Sequence, residues 1–387
     1  SIYQPYAEAI AQEIAATAQR VGRQRVRSIF FGGGTPSMFP IELIGGILAS
    51  VRAFFDVVAN PEITLEVNPT TDDRRRMTDG DSIRSISSGL WSAVRGQQEY
   101  FTQLRSLGFN RLSLGVQSSH DDELHLLRRG HSFDDGVKIY SAIRAAGFEN
   151  VNIDLIYALP EQSIDKWRLT LERVIDLKPE HISAYSLQVE DRTAMFNWVR
   201  DRKVAAPDDD VAANMYELTE EMLADVGFEH YEISNWASKW PGAGGKNQDF
   251  RSRHNLVYWL NESYLGFGCG SHSSFDNQRF SNALHPRDYI SRISEGGSAI
   301  VETEQIDQAL AMGETMMLGL RLTEEGVNRS RFKARFGLTI DQVYGSIIGR
   351  LLDQGLLESD EVCVRLAPRG RLLGNRVFGE FLPPSSK

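Results

Sequence analysis

The sequence predicts an α/β protein in which a partial (βα)6 barrel over residues 1–240 is followed by a connecting region over 241–306 and a small winged-helix-like α+β domain over 307–387. Three observations carry this expectation. Short apolar runs of four to eight residues, rich in β-branched and aromatic side chains, alternate with longer stretches of helical periodicity through the first 240 residues. Two of the returns, Leu107-Gly108-Phe109-Asn110 and Ala146-Gly147-Phe148-Glu149-Asn150, end a helix on glycine and lead into a strand, which is the chemistry of a βα repeat with a parallel sheet. From about Asp307 the order changes to helix, helix and a short hairpin.

The elements follow in order. Ala7, Ile10, Ile14 and Ala18 give the opening stretch helical spacing. Val26 to Phe31 is the first strand, broken by Gly32-Gly33-Gly34-Thr35-Pro36-Ser37. Ile63 to Val67 is the second; it carries Glu66 and runs into Asn68-Pro69. Arg111 to Val116 leads to Gln117 and Ser118, and a helix over Asp134 to Ala146 returns the chain to Val151 to Ala158, which holds Asp154. A helix over Ile164 to Leu177, a strand over His181 to Leu187, a helix over Asp208 to Gly227 and a strand over Glu229 to Ile233 complete the series. In such sheets ligands meet the C-terminal ends of the strands, so the glycine turn, Glu66, Gln117 and Asp154 are expected to gather there. Polar side chains in otherwise buried strands are costly unless paired, so the set points to a polar ligand, or else to capping of neighbouring helices or pairing with Arg111 or Arg129.

Between about residues 72 and 98 the periodicity is lost, with Arg74-Arg75-Arg76, Asp79-Gly80-Asp81 and a serine-rich stretch, which reads as an inserted surface loop with one short helix near Trp91. A second loop is expected at Trp240-Pro241-Gly242-Ala243-Gly244-Gly245. Glycines 266, 268 and 270 do not sit between a strand and a helix and are not a dinucleotide fingerprint. The tail carries helical stretches at Ala309 to Leu318, Arg331 to Phe336 and Ile340 to Gln354, then Val362 to Leu366, and is expected to pack or bind a partner rather than read DNA.

Composition narrows the function. With 42 basic and 52 acidic residues the formal charge is −10, which argues against nucleic acid as a partner. Two cysteines, Cys269 and Cys363, exclude a disulfide scaffold and a C-x-x-C pair, and they fall short of the three or four thiolates of an iron–sulfur cluster. The absence of an apolar run long enough to span a bilayer leads to a cytoplasmic expectation with reduced thiols.

Taken together, Gly32-Gly33-Gly34-Thr35-Pro36-Ser37, Leu65-Glu66-Val67-Asn68-Pro69, Arg111 to Ser118, Asn152 to Tyr157 and Tyr264-Leu265-Gly266-Phe267-Gly268 resemble the radical S-adenosylmethionine enzymes of the oxygen-independent coproporphyrinogen III oxidase group. Arg253-His254-Asn255-Leu256-Val257-Tyr258-Trp259 is similar to the H-N-x-x-Y-W motif of the HemW-type haem chaperone branch. The likeness spans nearly the whole chain outside the 72–98 insertion.

The resemblance implies S-adenosylmethionine as cofactor, with Gly33, Gly34 and Thr35 along its methionine end and Glu66, Gln117, Arg129 and Asp154 in contact with it. Carboxylates suit its ammonium and ribose hydroxyls, and an arginine suits its carboxylate. It implies haem at His254, Asn255, Tyr258 and Trp259, with imidazole as the axial iron ligand. The implied function is haem binding and delivery to an acceptor, expected to be a membrane-associated protein; the alternative is radical oxidative decarboxylation of coproporphyrinogen III in porphyrin biosynthesis. The family also places C-x-x-x-C-x-x-C at the end of a first barrel strand to hold a [4Fe-4S] cluster, and neither Cys269 nor Cys363 stands at that spacing. The expectation is therefore a radical-SAM-type barrel lacking its first strand and its cluster, inactive by itself in cleaving the cofactor, with Val26 to Phe31 as an apolar edge.

Overall fold

The computed structural model describes residues 2–69, 94–191, 193–239 and 248–383. Helix α1 (Tyr3–Val21) precedes β1 (Arg25–Phe31), and a single 3-10 turn at Pro36–Met38 leads into α2 (Ile41–Phe54). Then come β2 (Asp56–Val67), α3 (Val94–Leu107), β3 (Arg111–Gln117), α4 (Asp121–Leu126), α5 (Phe133–Ala145), β4 (Val151–Tyr157), α6 (Ile164–Asp176) and β5 (His181–Ser186). After α7 (Ala194–Arg200) and α8 (Asp209–Asp225) the chain makes β6 (Phe228–Glu232) and β7 (Asn235–Ser238). The expected insertion and its short helix near Trp91 lie outside the described residues as far as residue 93; from Val94 the chain is helical.

All six expected strands form, β2 being longer than its apolar run suggested. They lie in one sheet of order β1-β2-β3-β4-β5-β7-β6, parallel from β1 to β5. The sixth run does not sit beside the fifth. β7 intervenes, antiparallel to both β5 and β6, because two residues, Ile233 and Ser234, separate β6 from β7 and permit only a hairpin return.

The strands alternate with period two. Their outer residues, such as Leu65, Leu112, Leu114, Val151, Ile153 and Ile182, pack against the helices in one core with Trp167, Phe101 and Phe109. Their inner residues are mostly polar, and side chains from β1, β2, β3, β4, β5 and β7 line a common cavity, so the sheet curls around it as a half-barrel. Helix starts are fixed locally: Ser132 and Asp135 form a capping box on α5, and Ser163 and Asp208 cap α6 and α8.

The region expected to be a haem-motif and glycine-rich connection carries α9 (Arg253–Trp259), β8 (His272–Phe275), β9 (Gln278–Asn282), α10 (Pro286–Gly296) and β10 (Ile300–Gln305). Its three strands form an antiparallel sheet, and Tyr289 and Ile293 of α10 share a core with Ala9, Ile10 and Ile14 of α1. Buried Glu13 of α1 ties this layer down, accepting from Tyr289 Oη at 2.6 Å, Gly268 N at 2.9 Å and Asn282 Nδ2 at 2.5 Å.

The tail has the expected winged-helix order: α11 (Gln308–Gly319), β11 (Val327–Asn328), α12 (Arg329–Phe336), α13 (Ile340–Asp353), β12 (Leu357–Ser359) and β13 (Cys363–Leu366), followed by α14 (Pro368–Leu372) and α15 (Gly374–Gly379). Met316, Phe332, Ile348 and Val364 centre its own core. Its main chain pairs with the barrel sheet: Ile233 N donates to Arg321 O at 3.1 Å and Thr323 N donates to Tyr231 O at 3.2 Å. Among the described residues no helix is long and apolar enough to cross a membrane.

Candidate functional site

The cavity inside the half-barrel has a volume of about 450 Å³. Six of the seven residues expected to hold a cofactor line it: Gly34, Thr35, Glu66, Gln117, Arg129 and Asp154. The seventh, Gly33, stands beside them and donates its N–H to Glu66 Oε2 at 3.1 Å. Gly33 and Gly34 hold φ of 79° and 68°, and a Cβ at either would meet nothing within 4 Å, so the turn leaves open space in front of its backbone. Gly32 is tight instead: a Cβ there would strike the Phe30 ring and come to 2.9 Å from Glu66 Oε1. Gln117 ends β3 at φ 71°, a conformation that a non-glycine residue adopts at a cost and that turns the chain at the cavity wall.

Burial, reinforced by the charge of Asp154, raises the Glu66 pKa above the ordinary carboxylate value, while the Gly33 amide opposes the shift. Burial likewise raises Asp154, against the hydrogen bonds it accepts from Ser113 and Asn152. Two carboxyls facing one cavity favour a ligand that brings positive charge or hydroxyl donors to them. Thr64 Oγ1 and Asn235 Oδ1, buried on the same wall, have no hydrogen-bond partner and offer two more polar sockets.

Beneath Asp154 lies a polar network that no short motif announced. Asp154 accepts from Ser113 Oγ at 2.8 Å and from Asn152 Nδ2 at 2.7 Å. His181 reaches Asn152 with Nδ1 at 2.7 Å and Tyr231 Oη with Nε2 at 2.9 Å. Burial, together with the charge of Arg111, pushes the His181 pKa well below its ordinary value, so the ring is neutral. Arg111 itself donates to Asn150 Oδ1 at 2.8 Å and Phe250 O at 3.0 Å. The one sequence signal for this set was polar residues recurring at every second strand position.

The four residues expected to meet haem lie on α9, over the inner side of β1. Glu62 of β2 accepts from the N–H groups of Arg253 and His254 at 3.1 and 3.0 Å, and the Ser252 side chain accepts from Asn255 N at 3.2 Å. His254 stacks on Phe30, its Nδ1 lies 3.3 Å from Ser28 Oγ and its Nε2 3.1 Å from Tyr258 Oη. Burial lowers its pKa to about 4, so this imidazole too is neutral, the form that binds a metal. Asn255 lines the cavity, and Tyr258 packs edge-on to both His254 and Tyr264. Trp259 differs: it faces the tail, with the Arg321 guanidinium 4.3 Å from its ring centre and its buried Nε1 unpaired. Haem iron would meet His254 only after one ring nitrogen gives up its hydroxyl partner.

The cysteines stand apart from the cavity. Cys269 Sγ accepts from Tyr6 Oη at 3.2 Å, and Cys363 lies in β13 of the tail. Among the described residues no group of three or more His, Cys, Asp and Glu side chains is placed to hold a metal ion, so the residues present do not fit an iron–sulfur cluster.

Known proteins resemble this chain along most of its length. The Radical SAM superfamily pattern matches residues 2–174 and the HemN C-terminal domain matches residues 306–373. The heme chaperone HemW of Bacillus subtilis is 32% identical, with 97% of this chain and 91% of that protein covered. HemW of Synechocystis is 34% identical over 82% of this chain and 69% of its own length. The mouse mitochondrial radical S-adenosyl methionine domain-containing protein 1 is 31% identical over 94% and 77%. Among solved structures, coproporphyrinogen III oxidase (HemN) of Escherichia coli superposes with a TM-score of 0.76 at 21% identity, covering 98% of this chain and 84% of that one, and shares the fold.

Proposed function

This chain belongs to the radical S-adenosylmethionine superfamily, in the family of the heme chaperones HemW, and from that membership we propose that it binds haem on α9, beside an S-adenosylmethionine pocket, and delivers it to an acceptor protein. The observation that supports this most is the packing of α9 against the cavity wall: His254 lies on Phe30, and Phe30 and Asn255 both line the cavity that Glu66 and Asp154 share. In this reading Glu66 and Asp154 receive the cofactor's ammonium and ribose hydroxyls, Arg129 its carboxylate, and the Gly33-Gly34-Thr35 turn lies along its methionine end. S-adenosylmethionine supplies a sulfonium and, where a reduced cluster is present, a source of the 5′-deoxyadenosyl radical. The described residues offer no cluster site, and the reading draws on binding and handover alone.

His254 would hold the haem iron through whichever ring nitrogen Tyr258 or Ser28 leaves open, and Tyr258 stands beside it. Trp259 joins the helix to the tail. The acceptor is taken to be a membrane-associated protein served from the cytoplasm. The oxidative decarboxylation of coproporphyrinogen is supported by likeness of fold alone, whereas the His254-Asn255-x-x-Tyr258-Trp259 motif favours the chaperone.

Titration of the protein with haem tests the reading. A shifted Soret band that saturates, weakened at least about tenfold by His254→Ala, is the expected outcome. Absence of any Soret shift overturns it.

A further inference from the structure

We infer that His181 and Tyr231 are positioning residues that join the cofactor carboxylate Asp154 to the start of α9 through a one-way chain of hydrogen bonds, so that the charge at Asp154 sets how tightly α9 holds haem. The inference rests on the haem-binding reading above, and its test separates the two.

The direction of the chain follows from the donors available. The Asn152 amide nitrogen donates to both Ser113 Oγ and Asp154 Oδ1, each at 2.7 Å, so its two hydrogens are spent and its oxygen faces away. That oxygen accepts from Ser183 Oγ at 3.1 Å and meets His181 Nδ1 at 2.7 Å. An amide oxygen only accepts, so His181 carries its proton on Nδ1. The ring is neutral and its Nε2 therefore offers a lone pair, which accepts a hydrogen bond from the Tyr231 hydroxyl across 2.9 Å. With its proton committed, the Tyr231 oxygen accepts from Ser252 N at 3.2 Å. Ser252 is the residue that caps α9.

Every group on this path is buried: Asn152 is 3%, His181 1%, Tyr231 3% and Ser252 3% exposed. Reversing any bond would set two buried acceptors or two buried donors against each other, so the chain has one arrangement. Aligned hydrogen bonds polarise one another in a low dielectric, and this series ends on a carboxylate, whose negative charge strengthens each bond back to Ser252. A cationic ligand on Asp154 draws that charge away, and the hold on the first turn of α9 weakens with it. The relation is reciprocal, since any coupling between two binding events is.

The experiment is a double-mutant cycle on the full chain, read as haem Kd by Soret titration, in wild type, Asp154→Asn, Tyr231→Phe and the double variant, with thermal melting to establish that each folds. Tyr231→Phe keeps the ring packing and removes only the hydroxyl. Asp154→Asn should change haem Kd by about fivefold in the wild-type background and leave it unaltered when Tyr231→Phe is present. An equal change in both backgrounds overturns the coupling and leaves haem binding standing. Failure of all four proteins to bind haem overturns the function reading, and the coupling with it. A second readout needs no haem: nitrogen-15 NMR of His181 should report the Nδ1–H tautomer in wild type and in Tyr231→Phe alike, with the Nε2 resonance alone shifting in the variant as its hydroxyl donor is lost. An Nε2–H tautomer in the wild type overturns the direction of the chain.

Discussion

The imidazole of His254 lies flat on the phenyl ring of Phe30, with ring centres 4.8 Å apart and planes 16° from parallel. The contact seats α9 on the outermost strand of the sheet and keeps the histidine out of water and uncharged. Because burial lowers the folded-state pKa to about 4 from the ordinary 6.5, the unfolded chain takes up a proton across that interval and the folded chain does not. The contribution to stability is complete above pH 6.5 and is lost as the pH falls toward 4, by at most about 3 kcal/mol. Urea midpoints of wild type and His254→Phe, followed from pH 7 to pH 4, should diverge, the wild type losing more. Parallel curves would show that this ring does not titrate as described.

Glu62 holds the same helix by its first turn. Replacing it with Gln removes the charge that meets the Arg253 and His254 amides, which should lower stability by about 1 kcal/mol and weaken haem binding several-fold. Melting temperature and Soret titration read the two effects. Unchanged haem affinity would mean that α9 does not need this anchor.

For the cofactor pocket, Asp154→Asn and Glu66→Gln should each weaken S-adenosylmethionine binding at least about tenfold, measured by calorimetry. Gly34→Ala gives a sharper comparison. Its φ of 68° costs alanine about 1 kcal/mol, yet the new Cβ meets no protein atom within 4 Å and projects into open space. Ligand binding should therefore suffer more than folding does, and a loss confined to stability would place the ligand elsewhere.

At the seam with the tail, Glu232 is wholly buried, takes a hydrogen bond from Asn235 Nδ2, and has Arg321 4.0 Å from its other oxygen. Arg321→Leu leaves that carboxylate without its cation and should destabilise the protein by about 3 kcal/mol, with Trp259 fluorescence changing as its covering guanidinium is lost. Adding Glu232→Leu to the same protein should restore most of the loss. No recovery in the double variant would show that Arg321 acts through Trp259 instead.

Much of the barrel was legible in the sequence because each strand announces itself by local alternation and ends at a turn residue. β7 was not, since its four residues follow β6 through a two-residue turn and look like the end of one run. The cavity-facing carboxylates were legible for the same reason as the strands: Glu66 and Asp154 are charges inside apolar runs. The network beneath them was not, because its partners come from different strands, His181 and Asn152 being 29 residues apart. Nothing local foretold the surroundings of His254 either, whose backbone is fixed by a carboxylate 192 residues earlier. Of the alternate glycines, Gly268 serves packing: a Cβ there would come within 2.7 Å of Tyr6 Oη, and its N–H is needed by Glu13.

The main-chain bonds from Arg321 and Thr323 to the residues of β6 and its turn occupy the one side of that strand that β7 leaves free. A gene divided near residue 306 would therefore not give two well-behaved halves. The first half would be released with the Ile233 amide and the Tyr231 carbonyl bare at the edge of its sheet, where another copy could pair with them.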